Sequence, residues 1–243
     1  MKKFLSIILL SVCSMVFAGC GNGQATNNNS GSAGDGSIEQ TTENHVSSEE
    51  KSEDNKAGQK ADSKEGIVVW FSRVGNTEFP DDVDATSSAS LINDGGQLKG
   101  NAGVLAEWIS EETGYDTFEI VTKNSYPVDY GETTEVAKDE QNADARPELT
   151  AQIEGSAEYK TVYLVFPNWW GDMPQALYSF FDEYDFSGKK LNVFVTHGGS
   201  GFSDTISTIK SLEPDAEVEE GLSVRDSDVP DSEKDVKNWV KEH

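Results

Sequence analysis

Apolar and polar positions divide the 243-residue chain into three regions. Behind Lys2 and Lys3, residues 4–17 form an apolar run broken only by small residues. Residues 21–65 are Gly, Asn, Ser, Thr, Glu, Lys and Asp with almost nothing apolar; Ile38 and Val46 are the only aliphatic side chains larger than Ala. At Ile67 the pattern changes abruptly. Ile67-Val68-Val69-Trp70-Phe71 is a continuous β-rich run, the mark of a strand buried on both faces. Similar runs follow at 115–121, 161–166, 191–195 and 216–224. Helical periodicity lies between them. Residues 102–112 place Leu105, Trp108 and Ile109 on one face, and 175–184 do the same with Leu177, Phe180 and Phe181. Residues 203–212 offer Ile206, Ile209 and Leu212; residues 231–242 offer Val236, Trp239 and Val240. Residues 133–142 read as a short, polar, exposed helix. Strands alternating with helices predict an α/β domain over 66–243, with a parallel sheet between two helical layers.

The first two regions predict how the domain is held. A short apolar run behind two lysines is a signal-peptide core and not a membrane span. Phe17-Ala18-Gly19-Cys20 places small residues before a cysteine, as in a bacterial lipobox, with Phe17 where that motif usually has Leu. Residues 1–19 are therefore expected to be a lipoprotein signal, with Cys20 the lipid-bearing mature N-terminus outside the cytoplasm. Residues 20–65 cannot bury enough surface to offset ordering, and are expected to form a disordered tether. The chain has two cysteines, Cys13 and Cys20, so the domain has none: disulfide, thiol and cysteine-metal chemistry are excluded from it. The formal charge is −25, and loss of residues 1–19 removes two lysines and no acid, leaving −27. Such a charge argues against nucleic acid and against lying flat on an anionic membrane. The expected membrane contact is the lipid anchor alone.

In a parallel α/β sheet, ligands bind at the carboxyl ends of the strands. Three loops there carry candidate chemistry. After the first strand comes Ser72-Arg73-Val74-Gly75-Asn76-Thr77, a hydroxyl-rich turn whose successive backbone amides can form an anion nest. No helix follows directly. Phe79-Pro80-Asp81-Asp82 interrupts, a Ser/Asp/Gly-rich excursion runs to about 99, and the helix starts only after Gly100-Asn101, with Asn101 as its expected N-cap. The anion site is thus expected to be split, with Ser72 through Thr77 on one side of the excursion and Gly100, Asn101 and Ala102 on the other. After the third strand, Pro167-Asn168-Trp169-Trp170-Gly171-Asp172-Met173-Pro174 offers two adjacent tryptophans: one can pack inward while the other shows a flat face to a planar ligand. After the fourth, Thr196-His197-Gly198-Gly199-Ser200-Gly201 lets backbone amides approach a ligand, with His197 as donor or acid. Gly-x-Ser-x-Gly is not met at Ser200 or Ser203, and the other histidines are His45 in the tether and His243 at the end, which disfavours a Ser-His-Asp enzyme. No cluster has metal-ligand spacing.

The first loop, with Phe71 before it, resembles the phosphate loop of flavodoxins. Tyr126-Pro127-Val128-Asp129-Tyr130, Arg146-Pro147, the 166–174 run, Tyr184-Asp185-Phe186-Ser187-Gly188-Lys189 and the 196–201 run are similar to a flavodoxin-like bacterial subfamily, some of whose members are lipoproteins. The resemblance implies a flavodoxin-like α/β/α sandwich with a five-stranded parallel sheet of order 2-1-3-4-5. It also implies FMN. Ser72, Arg73, Val74, Gly75, Asn76 and Thr77, with Asn101, would hold the phosphate; Pro167, Asn168, Trp169, Trp170 and Gly171, with Thr196, His197, Gly198 and Gly199, would flank the ring. Ala102 departs from the subfamily's Gly-Asn-Thr, losing a hydroxyl, and the Asp-rich excursion has no counterpart there.

Chemistry then follows from the cofactor. The expectation is electron transfer to a redox partner protein, or reduction of a small-molecule, quinone-like acceptor by a nicotinamide. A strongly acidic domain disfavours added negative charge on a flavin and lowers its potential. A different class stays open on the sequence: a tethered binding module that keeps the fold without a redox role.

Overall fold

The computed structural model describes residues 65–81, 83 and 90–243. The expected signal, Cys20 and the tether lie outside the described residues. Among the described residues, seven strands and five α-helices follow in chain order: β1 Gly66–Trp70, β2 Leu91–Asp94, β3 Gln97–Gly100, α1 Asn101–Thr113, β4 Asp116–Glu119, α2 Tyr130–Asn142, β5 Thr161–Pro167, α3 Gln175–Glu183, β6 Lys190–His197, α4 Thr205–Leu212, β7 Glu217–Arg225 and α5 Glu233–Glu242.

Five strands form one parallel sheet in the order β4-β1-β5-β6-β7. Without β2 and β3 this is the expected order 2-1-3-4-5. Alternation along the strands divides the interior into two cores. On one face Ile67, Val69, Leu164, Phe166, Leu191 and Val193 meet Leu177 and Phe180 of α3 and Ile206 and Ile209 of α4. On the other, Val68, Val165 and Phe194 meet Leu105 and Ile109 of α1 and Val236 and Val240 of α5. Burial on both faces explains why β1 and β5 read as apolar runs, and β6 as one interrupted by the buried Asn192.

The excursion departs from expectation. Its end is an antiparallel hairpin, β2 against β3, that feeds straight into α1. Gly95 and Gly96, at φ 59° and 91°, make its two-residue turn. Leu91 is buried while Asn93 and Asp94 are exposed. One buried residue in four is too little apolar signal to mark a strand in the sequence. The expected N-cap also moves: Gly100 caps α1, and Asn101 is its first helical residue. An extended Gly100, paired with Leu91, carries the hairpin into the helix. Helix α2 begins at Tyr130, three residues earlier than expected, because Asp129 caps it by accepting from the Glu132 amide at 2.9 Å. The β4 strand is shorter than the expected 115–121 run, although Ile120 beyond it is fully buried.

Candidate functional site

The loop after β1 is built around buried polar groups. Ser72 Oγ accepts from the Val74 amide at 3.1 Å, which tightens the turn. Residues Val74–Asn76 complete a single 3-10 turn. The Asn76 side chain is buried and used in full. Its Nδ2 donates to the Ser72 and Ile120 carbonyls at 2.9 and 3.0 Å, and its Oδ1 accepts from the Thr122 amide and hydroxyl at 2.7 and 3.0 Å. Asn76 therefore ties the loop to the end of β4. Thr77 differs: its Oγ1 is buried without a hydrogen-bond partner. A Cβ at Gly100 would run into Ser72, so the loop and the start of α1 touch. The Asn101 amide donates to the Ser90 carbonyl at 3.0 Å. The amides of Ala102 and Gly103 follow in the first turn, where no intrahelical partner exists. The two halves of the expected anion site thus meet, and the hairpin closes the gap between them.

Arg73 turns inward and is almost fully buried. Its Nη2 donates to the Pro127 and Val128 carbonyls at 3.0 and 2.8 Å, and its guanidinium lies 5.0 Å from the Phe79 ring centre and 5.9 Å from that of Tyr130. Burial lowers its pKa, opposed by Tyr130 and Asp129, but an arginine stays charged. Beside it, Tyr126 donates to Glu140 at 2.9 Å, and burial pushes that phenol far up. The first loop is therefore bound to the 126–130 segment as well as to β4.

The two tryptophans divide their roles. Trp169 packs edge-on to Phe71 and Tyr126, with ring centres 5.4 and 5.2 Å away. Trp170 is 54% exposed. Trp169 and Asp172 exchange backbone hydrogen bonds at 2.9 and 3.1 Å across Trp170 and Gly171, whose φ values are 57° and 81°. Positive φ at both central positions is a type I′ turn, costly for a tryptophan and easy for the glycine. Its Nε1 donates to the Thr134 carbonyl at 2.9 Å, and Lys138 lies over its ring at 5.2 Å. Asn168 holds the neighbouring loops together: Nδ2 donates to the Gly201 carbonyl at 3.0 Å and Oδ1 accepts from the Gly171 amide at 3.0 Å. His197 Nδ1 accepts from the Gly199 amide at 2.9 Å, so the neutral ring carries its proton on Nε2.

These parts enclose a cavity of about 410 Å³ at the carboxyl ends of β5 and β6. Arg73, Pro167, Asn168, Trp169, Trp170, Thr196, His197 and Gly198 line it. Gly171 and Gly199 shape the adjoining turns. Ser72, Val74, Gly75, Asn76, Thr77, Asn101 and Ala102 stand apart from this wall, in the loop and helix start described above. One wall was missed in the sequence: Tyr130, Thr133, Thr134 and Ala137 of α2 face the cavity. The signal was the alternation of Thr133 and Ala137 one helical turn apart, hidden in an otherwise polar helix.

The flavodoxin family model matches residues 97–243. The chain belongs to the flavodoxin family. Two crystal structures of candidate flavoproteins share its fold. One, from Bacteroides eggerthii, is 22% identical, covers 73% of this chain and 96% of its own, and has a TM-score of 0.55. The other, from Bacteroides uniformis, is 23% identical, covers 73% and 97%, and has a TM-score of 0.54. A flavoprotein in complex with FMN from Lactobacillus acidophilus aligns at 17% identity, covering 69% and 97%, with a TM-score of 0.48. No curated protein matches the sequence. The family match begins at Gln97, the first residue of β3, so β1 and the 72–77 loop lie outside it.

Proposed function

We propose that the domain binds FMN and serves electron transfer or flavin-dependent reduction. The observation that carries this reading is the cavity between Trp170 and His197, next to a loop whose buried Thr77 hydroxyl has no partner. An orphaned buried hydroxyl is a cost that a bound phosphate removes. The site fits the cofactor in three further respects. Loop amides and the start of α1 supply partial positive charge to an anion. Trp170 offers a half-exposed aromatic ring at the cavity, and Trp169 lines it while packed edge-on to Phe71 and Tyr126. His197, held by Gly199, keeps Nε2 to donate to a carbonyl of the ring system.

Bound FMN supplies the redox chemistry itself. The chain positions and insulates it. Asn168 and Asn76 fix the loops so that little reorganisation is needed on binding. Trp170 excludes water from one side of the cavity. The acidic domain, part of a chain of charge −25, opposes further negative charge in the site and keeps the potential low. The electron donor and acceptor are read as a redox partner protein or small molecules, a nicotinamide on one side and a quinone-like acceptor on the other. On its sequence the domain works outside the cytoplasm, tethered through lipid on Cys20.

The test is reconstitution of the purified domain with FMN, followed by absorbance and fluorescence titration. Saturable binding with a flavin spectrum supports the reading. A protein that stays colourless with FMN in excess, oxidised or reduced, sinks it. Steady-state oxidation of NAD(P)H with a quinone then separates reductase from carrier.

A further inference from the structure

Glu119, the last residue of β4, is a carboxyl in an unusual place. Its Oε1 is buried and has no hydrogen-bond partner. The carboxyl sits against Gly75 in the middle of the phosphate loop, and a Cβ at Gly75 would run into it. Gly75 is thus the residue that lets an acid approach a loop meant for an anion. The charged groups on the surrounding elements are turned elsewhere. Arg73 of the loop donates to Pro127 and Val128. Lys99 of β3 pairs with Asp94 and Glu107, Glu111 of α1 with Lys237, and Lys123 beyond β4 with Glu148. Among the described residues no cation pairs with Glu119. Burial alone raises its pKa from 4.5 to about 7.

A carboxylate and a phosphate dianion against one glycine repel each other, with little water between them to screen the repulsion. A neutral carboxyl does not. We propose that Glu119 makes phosphate binding proton-linked: the phosphate of FMN seats in the 72–77 loop while the Glu119 carboxyl holds its proton, and deprotonation weakens it. The consequence is selective. Riboflavin, which has the same ring and no phosphate, is indifferent to Glu119. Near neutral pH the site then exchanges phosphate-bearing for phosphate-free flavin according to local acidity. This inference rests on the FMN reading.

The experiment compares the affinities of FMN and riboflavin from pH 6.5 to 9 for the wild-type domain and for Glu119→Gln, which keeps the shape of the side chain and cannot ionise. The phosphate of FMN, with a second pKa of about 6, is already largely dianionic there. Its own titration does not imitate the effect. In the wild type, the preference for FMN over riboflavin falls above pH 7, approaching about tenfold per pH unit. In Glu119→Gln it is flat. Calorimetry in buffers of different ionisation enthalpy reads the same event without a variant: about one proton taken up per FMN at pH 8 and none per riboflavin. Equal pH profiles for the two proteins, or no proton uptake with FMN, overturn the inference and leave the FMN reading standing. Failure of both flavins to bind overturns the reading and the inference together.

Discussion

Trp169 and Trp170 have the same side chain and opposite environments, and the difference comes from one turn. The type I′ geometry at Trp170 and Gly171 throws the second indole outward while Trp169 stays under Phe71. Trp170→Ala should therefore weaken FMN by about tenfold, the worth of one aromatic contact with its buried area. Stability should change by only about 1 kcal/mol, because the ring is half exposed and the Thr134 bond is the one hydrogen bond lost, while alanine carries the same positive-φ cost as tryptophan. Fluorescence titration and thermal melting read the two effects separately. Asn76 and Thr77 form a second contrast. Asn76→Ala removes four buried hydrogen bonds and strands their partners, so the domain should lose about 2–3 kcal/mol in chemical denaturation. Thr77→Val removes a hydroxyl that has no partner, so stability should hold or rise. Its FMN affinity should drop about fivefold, the worth of one hydrogen bond, while riboflavin affinity is unchanged. Equal losses for both flavins would show that Thr77 does not meet phosphate.

Among the elements, the β2–β3 hairpin and α1 form the junction that brings the 72–77 loop against the helix start, the two halves of the proposed anion site. Gly100 is paired in β3, caps α1 and touches Ser72. A methyl group there has nowhere to go except by moving the loop from the helix. Gly100→Ala should cost about 1–3 kcal/mol and should reduce the preference for FMN over riboflavin. Unchanged flavin preference in a destabilised Gly100→Ala would mean that the helix start takes no part in binding. The α2 helix makes a different point. It is polar along most of its length, yet Thr133 and Ala137 are buried and four of its residues line the cavity. A helix that lines an open cavity need not be apolar toward the core, and so it left little periodic trace.

Across the whole molecule the dominant quantity is charge. Acids outnumber bases 44 to 19, and self-repulsion grows as they ionise. Glu119 adds a local part of the same sign. Its carboxyl binds a proton more tightly folded than unfolded. Its burial is thus free of cost below the ordinary 4.5 and carries the full cost above about 7. Stability should fall as pH rises through that window. The share is about 2 kcal/mol once solvent screening is allowed for. Denaturation of wild type and Glu119→Gln at pH 4.5, 6 and 7.5 should show the wild type losing that much relative to the variant. Parallel curves would place the carboxyl in water.

The amino-acid sequence alone determined the fold class, the central strands and the three loops. Strands buried on both faces, such as β1, β5 and β6, are mostly apolar, and glycine-bearing loops follow them. The resemblance of the same loops to flavodoxins supplied the sheet order that the structure has. Only the tertiary structure decided what each loop residue does. Asn76 is a clamp and Arg73 an anchor, because their partners lie 44 to 55 residues away. The hairpin, the α2 wall and the placing of Glu119 against Gly75 depend in the same way on contacts between distant segments. A local pattern records which face of an element is buried. It does not record which distant polar group that face will meet.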